Sequence, residues 1–219
     1  MVKQLTQRLL DTTIIPTDKY VKDKDYEVRP VPESHLRVAT VNINRLTDVK
    51  LPYITSYVDL HQIDVLHLTD IRINKDTAAH YRRLIIRRLG PGTRVVVALG
   101  DQSRGGGNYN VPGGILTIVT KKWGMSMTNT WQDRSGMGVT NFIYLKCRFK
   151  KIMLVGTYWP VLPTSSDPTD SQGLWNRLAQ WMAKSNETGT PIEYIKKVIE
   201  GKLLHFQGTD AEDCAGYHG

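Results

Sequence analysis

Four polar side chains sit where apolar runs end: Asn42 and Asn44, Asp70, and Tyr158. One carboxylate and two amides sharing a cleft would offer hard oxygen donors to a divalent cation. Mg²⁺ characteristically takes one or two protein carboxylates and completes its shell with water and phosphate oxygens. A tyrosine hydroxyl beside it could donate to a phosphate oxygen or help position a nucleophile. Each residue also has a plain structural use. Asn at a strand end commonly makes a turn or a cap, and an Asp there can cap a turn or helix, with Asn74 and Asp76 close by. Tyr158, ahead of Trp159 and Pro160, can simply pack half-buried. The joint placement of the four carries the chemical reading.

The elements that must position them follow from periodicity. Leu36 to Asn44 alternates, with Val41 and Ile43 on one face and Asn42 and Asn44 on the other, which predicts a strand. Leu51, Ile54, Tyr57 and Val58 recur at helical spacing. Ile63 to Leu68 is a short apolar run ending at Thr69-Asp70, so a β-α-β unit is expected whose strands both finish in polar groups. A helix is expected over Asp76–Leu89, and strands over Arg94–Leu99, Ile115–Thr120, Val139–Phe149 and Ile152–Tyr158, the last two joined by a turn at Lys150-Lys151. Gly100 to Gly114 holds six glycines and reads as a loop. Leu174, Leu178, Trp181 and Met182 mark an amphipathic helix, and Pro191 opens another. Gly201–Gly219 reads as a short apolar run followed by a polar tail. Strands mixed with helices imply an α+β domain, an α/β sandwich of two packed mixed β-sheets flanked by helices. Residues 1–36, with six basic residues, six acidic residues and three prolines, read as a leader or linker ahead of a domain over 37–219.

Composition narrows the partners. Among 219 residues, 29 Lys+Arg oppose 21 Asp+Glu, a formal net charge of +8. That balance favours a polyanionic partner, though weakly. No apolar run approaches the roughly 20 residues of a membrane-spanning helix, and the first ten residues lack the apolar core of a signal peptide. Cys147 and Cys214 are too few for a disulfide framework or a Cys-rich zinc site. An intracellular setting, nucleus or cytoplasm, is expected, with no membrane partner and no small-molecule organic cofactor.

Four segments in order carry a resemblance. Val38-Ala39-Thr40-Val41-Asn42-Ile43-Asn44-Arg45-Leu46 is similar to the opening strand of the endonuclease/exonuclease/phosphatase superfamily. Asp64-Val65-Leu66-His67-Leu68-Thr69-Asp70-Ile71-Arg72 resembles its Asp-Ile-Leu-x-Leu-Gln-Glu-Thr-Arg signature. Gly113 to Val119 resembles its Gly-Gly-Val-x-Ile strand, and Ile152 to Pro160 its strand ending Tyr-x-Pro. The match runs from about Leu36 to Lys184, and the nearest variant is the apurinic-endonuclease-like domain of LINE-type retrotransposons. The resemblance implies a Mg²⁺- or Mn²⁺-dependent DNA endonuclease. Asn42 would bond the scissile phosphate or attacking water, Asn44 and Asp70 would hold the metal, and Tyr158 would contact the phosphate or assist the nucleophile. Asp70 stands where the family has Glu, one methylene longer. The family's Gly-Asp-x-Asn signature finds only Gly208-Thr209-Asp210-Ala211-Glu212, which makes Asp210 its candidate aspartate. The closing Ser-Asp-His signature is absent, so the domain is expected to be incomplete in its C-terminal half. The alternatives are a catalytically inactive nucleic-acid-binding remnant of the same fold, or a phosphatase acting on a small phosphoester.

Further basic and aromatic residues fit a nucleic-acid partner. Arg72 and Arg104 are placed to touch a backbone near the site. Arg82, Arg83, Arg87 and Arg88 form a stripe on a helix that could neutralise phosphates or could be only a solvated face. Trp123 and Trp131 could stack on bases but suit packing equally well. Gly105-Gly106-Gly107 lacks the Gly-Lys-Ser/Thr of a phosphate-binding loop.

Overall fold

The computed structural model describes residues 35–100, 113–147, 150–159 and 170–215, the backbone alone at 147, 150, 170–173 and 207–215. Its strands are β1 (Val38–Asn42), β2 (Val65–Thr69), β3 (Arg94–Ala98), β4 (Ile115–Val119), β5 (Met127–Gln132), β6 (Thr140–Cys147) and β7 (Lys150–Thr157). Its helices are α1 (Lys50–Leu60), α2 (Lys75–Leu89), the short α3 (Lys121–Gly124), α4 (Asp170–Lys184) and α5 (Pro191–Ala215).

The expected α+β sandwich is present. One sheet has the order β1-β2-β4-β3 and the other β5-β6-β7. The first is mixed, β1 running parallel to β2 while β4 runs antiparallel to β2 and β3; the second is antiparallel throughout. The expectation of two mixed sheets is corrected on that point. The β-α-β unit explains the parallel pair, because a helical crossover is the usual way to bring a second strand alongside the first in the same direction.

Strands β2 and β4 lie at the centre of the mixed sheet, and every residue in them is buried. Their period of two divides the work. Leu66, Leu68, Leu116 and Ile118 face the helices and join Leu51, Ile54, Val58 and Ile85 of α1 and α2 in one core. Val65 and Val119 face the other sheet and meet Ile143 and Leu145 of β6. At the centre of that inter-sheet layer the alternate positions are polar. Thr117 Oγ1 lies 2.8 Å from His67 Nδ1 and accepts from Asn141 Nδ2 at 2.8 Å. A third cluster packs α4 and α5 through Leu174, Leu178, Met182 and Ile195 against Ile115, Val139 and Tyr158.

Helix α2 begins where its sequence says it should. Asn74 Oδ1 accepts from the Thr77 amide at 2.9 Å, and Thr77 Oγ1 accepts from the Asn74 amide at 3.1 Å. That reciprocal cap satisfies two amides the helix cannot. Asp76 in the first turn and Arg87 and Arg88 in the last complement the helix dipole. Asn74, not Asp70, is thus the cap, which leaves Asp70 for other work.

Two expectations about local structure need correction, and two elements are additions. Gly201 onward is not a tail, since α5 runs to Ala215. Lys150 and Lys151 are not a turn but lie in β7, paired with Cys147 and Lys146. Strand β5 and the short α3 were not foreseen. No helix among the described residues is long and apolar enough to cross a membrane.

Candidate nucleic-acid interface at the strand ends

Strands β1 and β2 are parallel neighbours, so their carboxyl ends lie side by side, Asn42 opposite Thr69. The pairing persists into the loops beyond. The amides of Ile43, Arg45 and Leu46 donate to the carbonyls of Thr69, Asp70 and Ile71 at 3.1, 2.8 and 2.8 Å. The segment after β1 therefore travels alongside the segment that carries Asp70. On the other side, Arg72 N donates to Gly113 O at 3.1 Å, which ties in the loop before β4.

Asp70 is the hub. Its Oδ1 accepts from Arg72 Nε at 3.0 Å and from the Gly113 amide at 3.2 Å. Its Oδ2 lies 3.0 Å from Arg72 Nη2. The side chain of Asp70 is only 6% exposed, against 23% for Arg72. Behind Gly113 stands the Tyr158 ring; a Cβ added to Gly113 would meet it at 3.4 Å, and its φ of +82° itself disfavours a side chain. Gly113 thus links the ends of β2 and β7, and Tyr158 is buried in the core behind it.

Asn42 and Asn44 occupy the same end but are exposed. Asn42 Oδ1 accepts from the Asn44 amide at 3.1 Å, the side-chain turn that Asn commonly makes. The loop they form is gripped by Lys50, whose Nζ donates to the carbonyls of Ile43, Asn44 and Arg45 at 2.7, 3.1 and 3.3 Å. Burial pushes the Lys50 ammonium below its ordinary pKa; Asp70 opposes that shift, and Arg45 and Arg72 add to it. Four of the six non-glycine residues with left-handed φ among the described residues, Asn44, Arg45, Asp70 and Arg72, are in these two loops. Backbone of this kind is costly and tends to collect at functional sites.

The structure thus brings Asn42, Asn44, Asp70, Arg72 and Tyr158 to one end of the sandwich. It adds Lys50, Arg45 and the Gly113 amide, which sequence reasoning missed. Arg104 lies outside the described residues. Asp210 falls on the backbone of α5, and its side chain is outside them too. Comparison with protein-family models and with curated proteins gives no match to this chain.

In this arrangement the Asp70 carboxylate is turned to Arg72. Asp70 is the one carboxylate among the residues brought together, and both its oxygens are held by the Arg72 guanidinium. Lys50 and Arg45 add positive charge on the same side. Among the described residues brought together, Asp70 is the acid and Arg45, Lys50 and Arg72 are the bases. Such a balance suits an anion. Guanidinium is well matched to phosphate, to which it presents paired N–H donors.

Proposed function

We propose that this chain carries an endonuclease/exonuclease/phosphatase-type sandwich of the LINE retrotransposon kind and uses its strand-end site to bind the phosphodiester backbone of DNA, without a metal, inside the cell. The observation that carries this is the grip of Arg72 on both oxygens of Asp70, with Lys50 and Arg45 beside it. Asp70 sets where the guanidinium lies, a role an amide of the same shape keeps through its oxygen, while the carboxylate's negative charge opposes the phosphate. It holds the guanidinium across the end of β2, while Lys50 fixes the Asn42–Arg45 loop and supplies charge. Exposed Asn42 and Asn44 offer amide donors to the sugar-phosphate chain. Contacts of this kind set register and affinity rather than sequence preference.

A second reading, the Mg²⁺-dependent endonuclease nicking target DNA, is favoured by the meeting of Asn42, Asp70 and Tyr158 at one end. It requires that the metal displace Arg72 from Asp70.

Asp70→Asn separates the two, because it removes the negative charge and keeps the shape. For a metal-free phosphate site, the variant is expected to bind a short DNA duplex about three- to tenfold tighter at moderate salt. It should also show a steeper dependence of affinity on salt, and neither protein should nick plasmid in Mg²⁺. Mg²⁺-dependent nicking by the native chain that Asp70→Asn abolishes would establish the second reading. Weaker binding by the variant, without nicking, would refute the first.

A further inference from the structure

The arginine-bearing helix and Trp131 meet away from the strand ends. A cavity of about 420 Å³ opens on the side of the sandwich between β3 and β5, lined by four successive residues of β3, Arg94 to Val97, and by Thr130, Trp131 and Gln132 of β5. Side chains alternate between the faces of a strand, so successive lining residues mean that the groove runs along the strand edges. Both strands are terminal in their sheets, and among the described residues each pairs on one side only. Alternate N–H and C=O groups of β3 therefore point into the groove.

Edge strands are usually blunted by a charge, a proline or a bulge, because an open edge is a template for another strand. Strand β5 has such an irregularity, between Met127 and Asn129. Strand β3 reads Arg94-Val95-Val96-Val97-Ala98, with no charge, proline or bulge after its first residue. The wall above it is cationic. Arg82 of α2 and Arg94 are exposed and both line the cavity, and among the described residues no carboxylate does.

We propose that β3 is a docking edge for an extended acidic peptide of a partner protein. The peptide adds as a further strand in the groove, its backbone bonded to β3 and its carboxylates on Arg82 and Arg94. Main-chain bonds supply affinity in this mode and side-chain contacts supply selectivity. A single-stranded nucleic acid would satisfy the arginines but leave the β3 edge unused. Its bases would also find Trp131 engaged, with Lys202 Nζ 4.2 Å from the ring centroid and Phe142 packed at an angle 5.1 Å away. The inference is independent of the strand-end site.

The test is fluorescence anisotropy with the full chain and a labelled octapeptide of alternating Glu and Val. Binding is expected to weaken about tenfold in the Arg82→Ala/Arg94→Ala double variant, whose changes are on the surface, and to be unaffected by Asp70→Asn. An alternating Lys-Val peptide should not bind, and neither should the Glu-Val peptide N-methylated at alternate residues on either register. The proposal is overturned if the Glu-Val peptide fails to bind, or if either control peptide binds as well. It is overturned equally if the double variant binds unchanged, or if oligo-dT of eight nucleotides displaces the peptide. Self-association of the chain in sedimentation that excludes the peptide would assign the edge to a second copy instead.

Discussion

Acidification from pH 7 to pH 4 is expected to remove on the order of 3 kcal/mol of folding stability through His67 alone. The ring is buried between the sheets at 4% exposure. Asn141 Nδ2 donates to Thr117 Oγ1, which also lies 2.8 Å from His67 Nδ1. Burial lowers the imidazole pKa from 6.5 to about 4. Between those two values the unfolded chain carries a proton that the folded chain does not, so stability falls as pH falls. The contribution is complete above about pH 6.5 and gone below about pH 4, and the shift corresponds to about 3 kcal/mol. Urea denaturation across this range checks it, with His67→Gln as the reference that cannot titrate. The native chain should lose stability with close to one extra proton taken up on unfolding relative to the variant. Parallel pH profiles for the two would show that His67 is not the group responsible.

The same polar layer makes Gly156 a second point of large effect. Strand β7 passes directly over the triad, and a Cβ on Gly156 would stand 2.7 Å from His67 Nδ1 and closer still to Asn141 Oδ1. Neither neighbour can withdraw without breaking its bond to Thr117. Gly156→Ala is expected to cost about 3 kcal/mol, at the upper end of ordinary overpacking. If the cause is contact with the ring, Gly156→Ala combined with His67→Ala should cost clearly less than the sum of the two single changes. Denaturation midpoints of the four proteins decide this. An additive result would place the strain elsewhere.

Much of this architecture was legible in the sequence because its elements obey strong periods. Alternation in Val38–Asn42 and the unbroken apolar runs of β2 and β4 marked the strands, and their polar ends marked where Asn42 and Asp70 would meet. The apolar side of the segment Asp76–Leu89, with Leu84, Ile85 and Leu89, did the same for α2. Strand β5 was missed for the opposite reason. Met127-Thr128-Asn129-Thr130-Trp131-Gln132 is an edge strand with mostly exposed side chains, so it carries no apolar alternation. The second half of α5 was hidden in the same way, since Leu203 and Leu204 are exposed and the residues after Phe206 are mostly polar. In the site, the carboxylate and amides could be read from residue type. The hold of Lys50 on three carbonyls and of Gly113 on Asp70 could not, because these bonds involve backbone groups every residue possesses. The only advance signals were two basic residues, Arg45 and Lys50, close after Asn42-Ile43-Asn44, and paired glycines at 113 and 114. Thr117 and Asn141 carried a signal as well, as polar residues at alternating positions within apolar strands.

The claim that the ends of β1, β2 and β7 form a site for the DNA backbone is tested most directly by the amide spectrum of the nitrogen-15-labelled chain titrated with a short DNA duplex. Shifts are expected at Asn42 to Arg45, at Asp70 to Arg72 and at Gly113 and Gly114, and they should collapse as salt is raised. A duplex that leaves those amides in place while moving those of α2 or the β3 edge would contradict the assignment.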